Sequence, residues 1–257
     1  MLLFLVFIVW VPFLMQGIVA LAGGAQGFGF QCLEDAQRGG EFDIDPDTIL
    51  RCNLWDLLRG WQFMIVPPII AMVAAPLVST DLRSNALYIY LAKPLRRMDY
   101  VLGKMAAVGI WGLAVTVVPA TLAWVMALGA QNEFFKLTDK YEILFEIILI
   151  QSVFLLLVGM LALTISSFTK NWQGSFLGFL GGWLGLWIVT NIIIEATNVR
   201  SYFYLSLVNN VIIFAHAVHG LPASTPAAWP SVLIILGAIG LSVGAFLYRI
   251  LKLEVAE

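Results

Sequence analysis

The chain has 257 residues, of which 61% are hydrophobic and only 12% charged, with a formal net charge of −2 and a mean hydropathy of +0.92. A soluble globular domain carries about 25% charged residues, so this composition excludes a water-solvated domain and points to a lipid bilayer as the solvent. Nor does the near-neutral balance provide the basic surface that binding to nucleic acid requires.

A hydrocarbon core of about 30 Å takes about 20 mainly apolar residues per helix. Six runs of that kind occur, at about 1–25, 61–79, 105–130, 143–166, 175–195 and 230–250. They are continuous rather than alternating, which excludes the strands of a closed β-barrel. The expected fold is therefore an all-α membrane protein, one transmembrane domain over 1–257 with six transmembrane helices.

The first run has no Lys or Arg before Arg38 and is longer than the apolar core of a secretory signal, so it is read as a retained span. The loop at 26–60 is rich in Gly and acid and holds both cysteines of the chain, Cys32 and Cys52. In an oxidising compartment these would pair, closing a loop of about 20 residues and restraining it by about 3 kcal/mol. The second run contains Pro67, Pro68 and Pro76, which remove backbone donors and predict a kink.

The segment 80–104, "TDLRSNALYIYLAKPLRRMDYVLGK", carries five of the fourteen Lys and Arg residues. Thr80 or Asp81 is expected to cap a short amphipathic helix supported by Leu82, Ala86, Leu87, Ile89 and Tyr90. Pro94 ends that helix, and "RRMDYVLGK" restarts one that runs into the third span, with Asp99 near its beginning. The fifth span opens with Gly174, Gly178, Gly181, Gly182 and Gly185, overlapping G-x-x-x-G pairs that let helices approach within a subunit or across a dimer. Glu195 at its far end is read as solvated. The stretch 202–220 is apolar but interrupted by Asn209, Asn210, His216 and His219, which predicts a re-entrant helical element between helices 5 and 6 rather than a further crossing.

Six crossings place both termini on one side, with 80–104, 167–174 and 249–257. That side holds eight of the fourteen Lys and Arg residues but four of the sixteen acids, and short loops rich in Lys and Arg stay inside, so both termini are expected to be cytoplasmic. The 26–60 loop then lies outside, where Cys32 and Cys52 can form a disulfide.

No motif assembles a catalytic centre. "VLGKM" at 101–105 has the Gly-Lys pair of a phosphate loop but neither its first Gly nor its Ser or Thr, and there is no nucleophile elbow and no H-E-x-x-H motif. His216 and His219 share a helix face three residues apart, too few ligands for a metal site, so no metal is assigned.

The order of residues in 80–104 resembles the first cytoplasmic loop of type-2 ATP-binding-cassette transporter permeases, the six-helix membrane subunits of many bacterial exporters. The resemblance is carried by Asp81, Leu82, Arg83, Ser84, Ala86, Leu87, Leu91, Lys93, Pro94, Arg96, Arg97, Asp99, Tyr100, Leu102, Gly103 and Lys104. It extends to the six-span layout, the polar break after the fourth span and the short charged tail. Family members usually carry a cytoplasmic lead-in helix before the first span, absent from this sequence, and often have Glu and Gly where this chain has Asp81 and Asn85.

The resemblance implies a coupling helix seated on a separate, soluble ATPase dimer that supplies the phosphate loops, ATP and Mg. The ATPase-coupling residues it implies are Asp81, Arg83, Leu87, Tyr88, Lys93, Pro94, Arg96, Arg97, Asp99 and Lys104. Arg83, Arg96 and Arg97 would make polar contacts, with Leu87 and Tyr88 as apolar anchors. It further implies a second permease chain, a prokaryotic inner membrane and export as the direction of transport. A non-transporting membrane scaffold or assembly factor is the alternative from a different class. An ion-coupled carrier fits less well, because it should place ionisable groups at the span centres, which here hold hardly any charge.

Overall fold

The computed structural model describes residues 51–52, 55, 62–84, 97–130, 140–221 and 226–252. Among the described residues the elements are all helical: α1 (Val66–Arg83), α2 (Arg97–Val115), α3 (Val117–Ala130), α4 (Tyr141–Phe168), α5 (Trp172–Thr197), a 3-10 turn (Arg200–Leu205), α6 (Leu207–Val218) and α7 (Ala228–Lys252). Among the described residues, five helical stretches are long and apolar enough to cross a membrane: Gln62–Arg83, Met98–Met126, Tyr141–Phe168, Trp172–Thr197 and Ala228–Lys252. They coincide with the second to sixth runs of the sequence. The first run at 1–25 lies outside the described residues, as does the 26–60 loop apart from positions 51, 52 and 55.

Each helix boundary has a local cause. Pro67 and Pro68 stand in the first turn of α1, where a missing N–H costs nothing, whereas Pro76 lies in its interior and leaves the Met72 carbonyl without its helical donor. Thr80 and Asp81, expected to cap a new helix, instead lie in the last turn of α1. The ladder continues through them: Thr80 Oγ1 donates back to the Pro76 carbonyl, and Ser84 N–H to the Thr80 carbonyl at 2.9 Å. A cap needs a break in the preceding backbone, and none occurs there.

The third run is broken at Thr116 because the ring of Pro119 excludes the Val115 carbonyl four residues earlier, which is where α2 ends. At the polar break after α4, Asn171 caps α5 by accepting from Gln173 N–H at 3.2 Å, and Asn198, left-handed at φ 55°, closes it by donating to the Ile194 carbonyl. The 12 residues of α6 rise only about 18 Å, short of a crossing. Gly220 at φ 61° terminates α6, with Leu221 N–H bonded to the His216 carbonyl and Gly220 N–H to that of Ala217.

The described residues form two compact units, one within Met1–Val66, Leu113–Val153 and Ile212–Pro226, the other within Pro67–Gly112, Phe154–Val211 and Ala227–Glu257. In the first, Ala120, Ala123, Trp124 and Leu128 of α3 pack on Ile143 and Ile147 of α4, side chains three to four residues apart on each helix. Gln62 and Gln151 close a buried amide pair, donating to one another at 2.7 and 3.0 Å.

In the second unit α2 meets α4 so closely that a Cβ on Gly112 would lie 1.9 Å from Leu155 Cδ1. Phe154 of α4 stands edge-on to Trp183 of α5, which stacks on Phe179. Thr164 Oγ1 of α4 donates to the Ser242 carbonyl of α7 at 2.8 Å. The 3-10 turn packs against α5 and α7, and Tyr204 hydroxyl donates to the Ala227 carbonyl at 2.8 Å.

Candidate functional site

Four helix ends meet within the second unit. The last turn of α1 and the first turns of α2 are zipped by two pairs of residues, Leu77 and Asp81 on one helix and Tyr100 and Lys104 on the other, each pair four apart and therefore on one face. Lys104 Nζ lies 2.7 Å from Asp81 Oδ2, donates to the Leu77 carbonyl at 2.6 Å and rests 5.2 Å from the centre of the Tyr100 ring. Tyr100 hydroxyl donates to the same Asp81 oxygen at 2.9 Å. The two charged side chains are only 19% and 14% exposed, so the pair is largely shielded from water and strengthened by its additional hydrogen bonds.

The C-terminal part of α4 lies beside the same turn of α1, where Ser166 Oγ donates to the Ala75 carbonyl at 2.6 Å and accepts from Ser79 N–H at 3.1 Å. The end of α7 joins α4, with the Arg249 guanidinium over the Phe168 ring at 5.7 Å and its Nε donating to the Ser167 carbonyl at 3.4 Å. The ends of α1, α4 and α7 and the start of α2 thus share one face. Arg83, Lys104, Lys170, Arg249 and Lys252 all belong to these helix ends or to the short turn after α4.

The sequence-derived coupling residues divide into three groups. Asp81 and Lys104 are brought together as an ion pair. Arg83 and Asp99 are exposed at the end of α1 and the start of α2, and Arg97 opens α2. Leu87, Tyr88, Lys93, Pro94 and Arg96 lie outside the described residues. On α5 the buried residues are Ser175, Phe179, Trp183 and Thr190. Among the described residues nothing comes within 4 Å of a Cβ built on Gly174, Gly181, Gly182 or Gly185, while one on Gly178 would touch Ile165 at 3.7 Å. Of the two cysteines, Cys52 is buried and Cys32 lies outside the described residues.

A second polar constellation, in the first unit, was missed by sequence reasoning. Glu146 of α4 accepts from Arg51 Nη2 at 2.9 Å through Oε1, and its Oε2 lies 2.9 Å from His219 Nδ1. His219, only 1% exposed, sits in the turn that closes α6, and the His216 ring stands edge-on to Trp55 at 4.5 Å. The available signal was Glu146 itself, an acid inside the apolar run 143–166, which by default deserves a functional reading. Glu195, read as solvated, is exposed at the end of α5.

The model of the ABC-2 family transporter protein matches residues 13–249, nearly the whole chain. No curated protein matches it significantly.

Proposed function

Because the chain belongs to the ABC-2 family of transporter proteins, whose members are membrane components of ABC transporters rather than their ATPases, we propose that it is the permease subunit of an ATP-driven exporter. It couples through 80–104 to a soluble ATPase dimer that holds ATP and Mg. The observation that carries this reading is the clasp of Asp81, Tyr100 and Lys104. It anchors both ends of the intervening segment 85–96 on two membrane helices, so that a push on that segment reaches both at once.

The shared face of the ends of α1, α4 and α7 supports the proposed topology, since these are the segments that six crossings would place together in the cytoplasm. On this reading 1–25 supplies the first span, both termini are cytoplasmic, the 3-10 turn and α6 form the re-entrant element on the outside, and the membrane is the inner membrane of a prokaryote. The open glycine flank of α5 is the contact with a second permease chain, and Cys32 pairs with Cys52 in the external loop.

The test is co-purification with a soluble ATPase carrying a phosphate loop, comparing the wild-type chain with Arg96→Glu/Arg97→Glu. The charge-reversed chain is expected to fold but lose the partner and its stimulated ATP hydrolysis. Retention of both would overturn the assignment of these residues.

A further inference from the structure

Three sets of side-chain contacts converge on one turn of α1. Pro76 has already removed one rung of its ladder by leaving the Met72 carbonyl without a donor. Three residues further on, the rung from Ala75 to Ser79 is straddled by a hydroxyl from another helix: Ser166 of α4 accepts from Ser79 N–H and donates to the Ala75 carbonyl. Ser79 Oγ donates to the same carbonyl at 2.6 Å. Ser79 and Ser166 are both fully buried, so water does not compete for these bonds. A side chain inserted into the helical ladder and a proline are two of the few physical causes of helix bending, and here they act within one turn of each other.

Just beyond this point, Lys104 and Tyr100 bind the last turn of α1 to α2. Ser166 in turn stands on a helix held firmly on two sides. Thr164 ties α4 to α7 through the Ser242 carbonyl. Gly112 faces Leu155, whose side chain would have to shift to admit a methyl group there, and Val108 Cγ1 lies 3.1 Å from a Cβ built on Gly159, both contacts joining α2 to α4.

We propose that Ser166 is a positioning residue for energy coupling, the pivot at which the parts of α1 on either side of Pro76 change their angle when the segment 85–96 is displaced. The proposal rests on the permease reading and adds the place where the stroke is converted. A hydroxyl suits this place because it donates and accepts at once and can rotate with the rung. The Ala75 carbonyl, with two hydroxyl donors, stays satisfied as the rung opens, which avoids the cost of a bare polar group in a dry interior.

The experiment has two arms. In the full chain alone, in lipid nanodiscs, hydrogen exchange at the Ser79 amide should accelerate about tenfold in Ser166→Ala and stay at the wild-type rate in Ser166→Thr. An unchanged rate in Ser166→Ala overturns the inference whether or not an ATPase binds. In the complex, spin labels at the exposed positions Ser84 and Leu241 should report a distance change between nucleotide-free and ATP-bound states. Ser166→Ala should remove most of that change without releasing the ATPase, and Ser166→Thr should restore it, a rescue that general destabilisation does not produce. Should Ser166→Ala fail to fold, Pro76→Ala, which returns the missing donor, carries the same expectation for the label distance. A full wild-type change in the variant overturns the pivot. Failure of the wild-type chain to bind any ATPase overturns the permease coupling alone.

Discussion

Asp81 and Lys104 show how one residue type at one position can serve two readings. In the sequence they are members of a loop pattern, and the resemblance assigns them to contact with an ATPase. In the structure they satisfy each other, together with Tyr100 and the Leu77 carbonyl. Removing one partner of a shielded pair leaves an uncompensated charge, whereas removing both does not. Lys104→Met is therefore expected to destabilise the chain by about 1–3 kcal/mol, more than Asp81→Asn, which keeps an acceptor for Tyr100. The double variant should cost less than the sum of the two, and thermal unfolding in detergent would measure this. Strict additivity would show that the pair contributes nothing. The pairing was not legible in the sequence because it depends on which turn of α1 faces which turn of α2. The Glu146 cluster was hidden for the same reason, its partners being 95 and 73 residues away along the chain.

At the scale of elements, apolar run length and proline position carried most of the information. Five of the six runs reappear as helices long enough to cross a membrane, because twenty consecutive apolar residues leave the backbone in lipid no alternative to helical bonding. The restart of helix at "RRMDYVLGK" and the interruption before the last span were legible too, the latter as a 3-10 turn and a 12-residue helix. Local polar signals misled: Thr80 looks like a cap, but its hydroxyl folds back on Pro76 inside a continuing helix. Close approach left no mark in the glycine pattern either, since Gly112, in no G-x-x-x-G motif of the fifth span, is where two helices touch. Gly112→Ala should cost about 1–3 kcal/mol by overpacking. Gly112→Ala/Leu155→Ala should recover part of the stability lost relative to Leu155→Ala alone, read as thermal midpoints in detergent. If the single variant is neutral, Leu155 moves aside freely and the contact is not tight.

For the whole molecule, the family and, among the described residues, five of the six expected spans were legible, while the partner surfaces were visible only as openings among those residues. The glycine flank of α5 is one. If it packs against a second permease chain, Gly182→Leu/Gly185→Leu should shift the purified protein from dimer toward monomer in light scattering, with thermal stability little changed. A dimer that persists would place the contact elsewhere. The Arg51, Glu146 and His219 cluster also has a consequence for how the chain is made. Synthesis at about 5–20 residues per second separates His219 from Glu146, 73 residues earlier, by roughly 4 to 15 s. During that interval Arg51, already synthesised, is the one member of the cluster available to neutralise the carboxylate. The order of the residues along the chain thus lets the acid be accompanied by a cation from the moment α4 emerges, with the imidazole arriving last to complete the group.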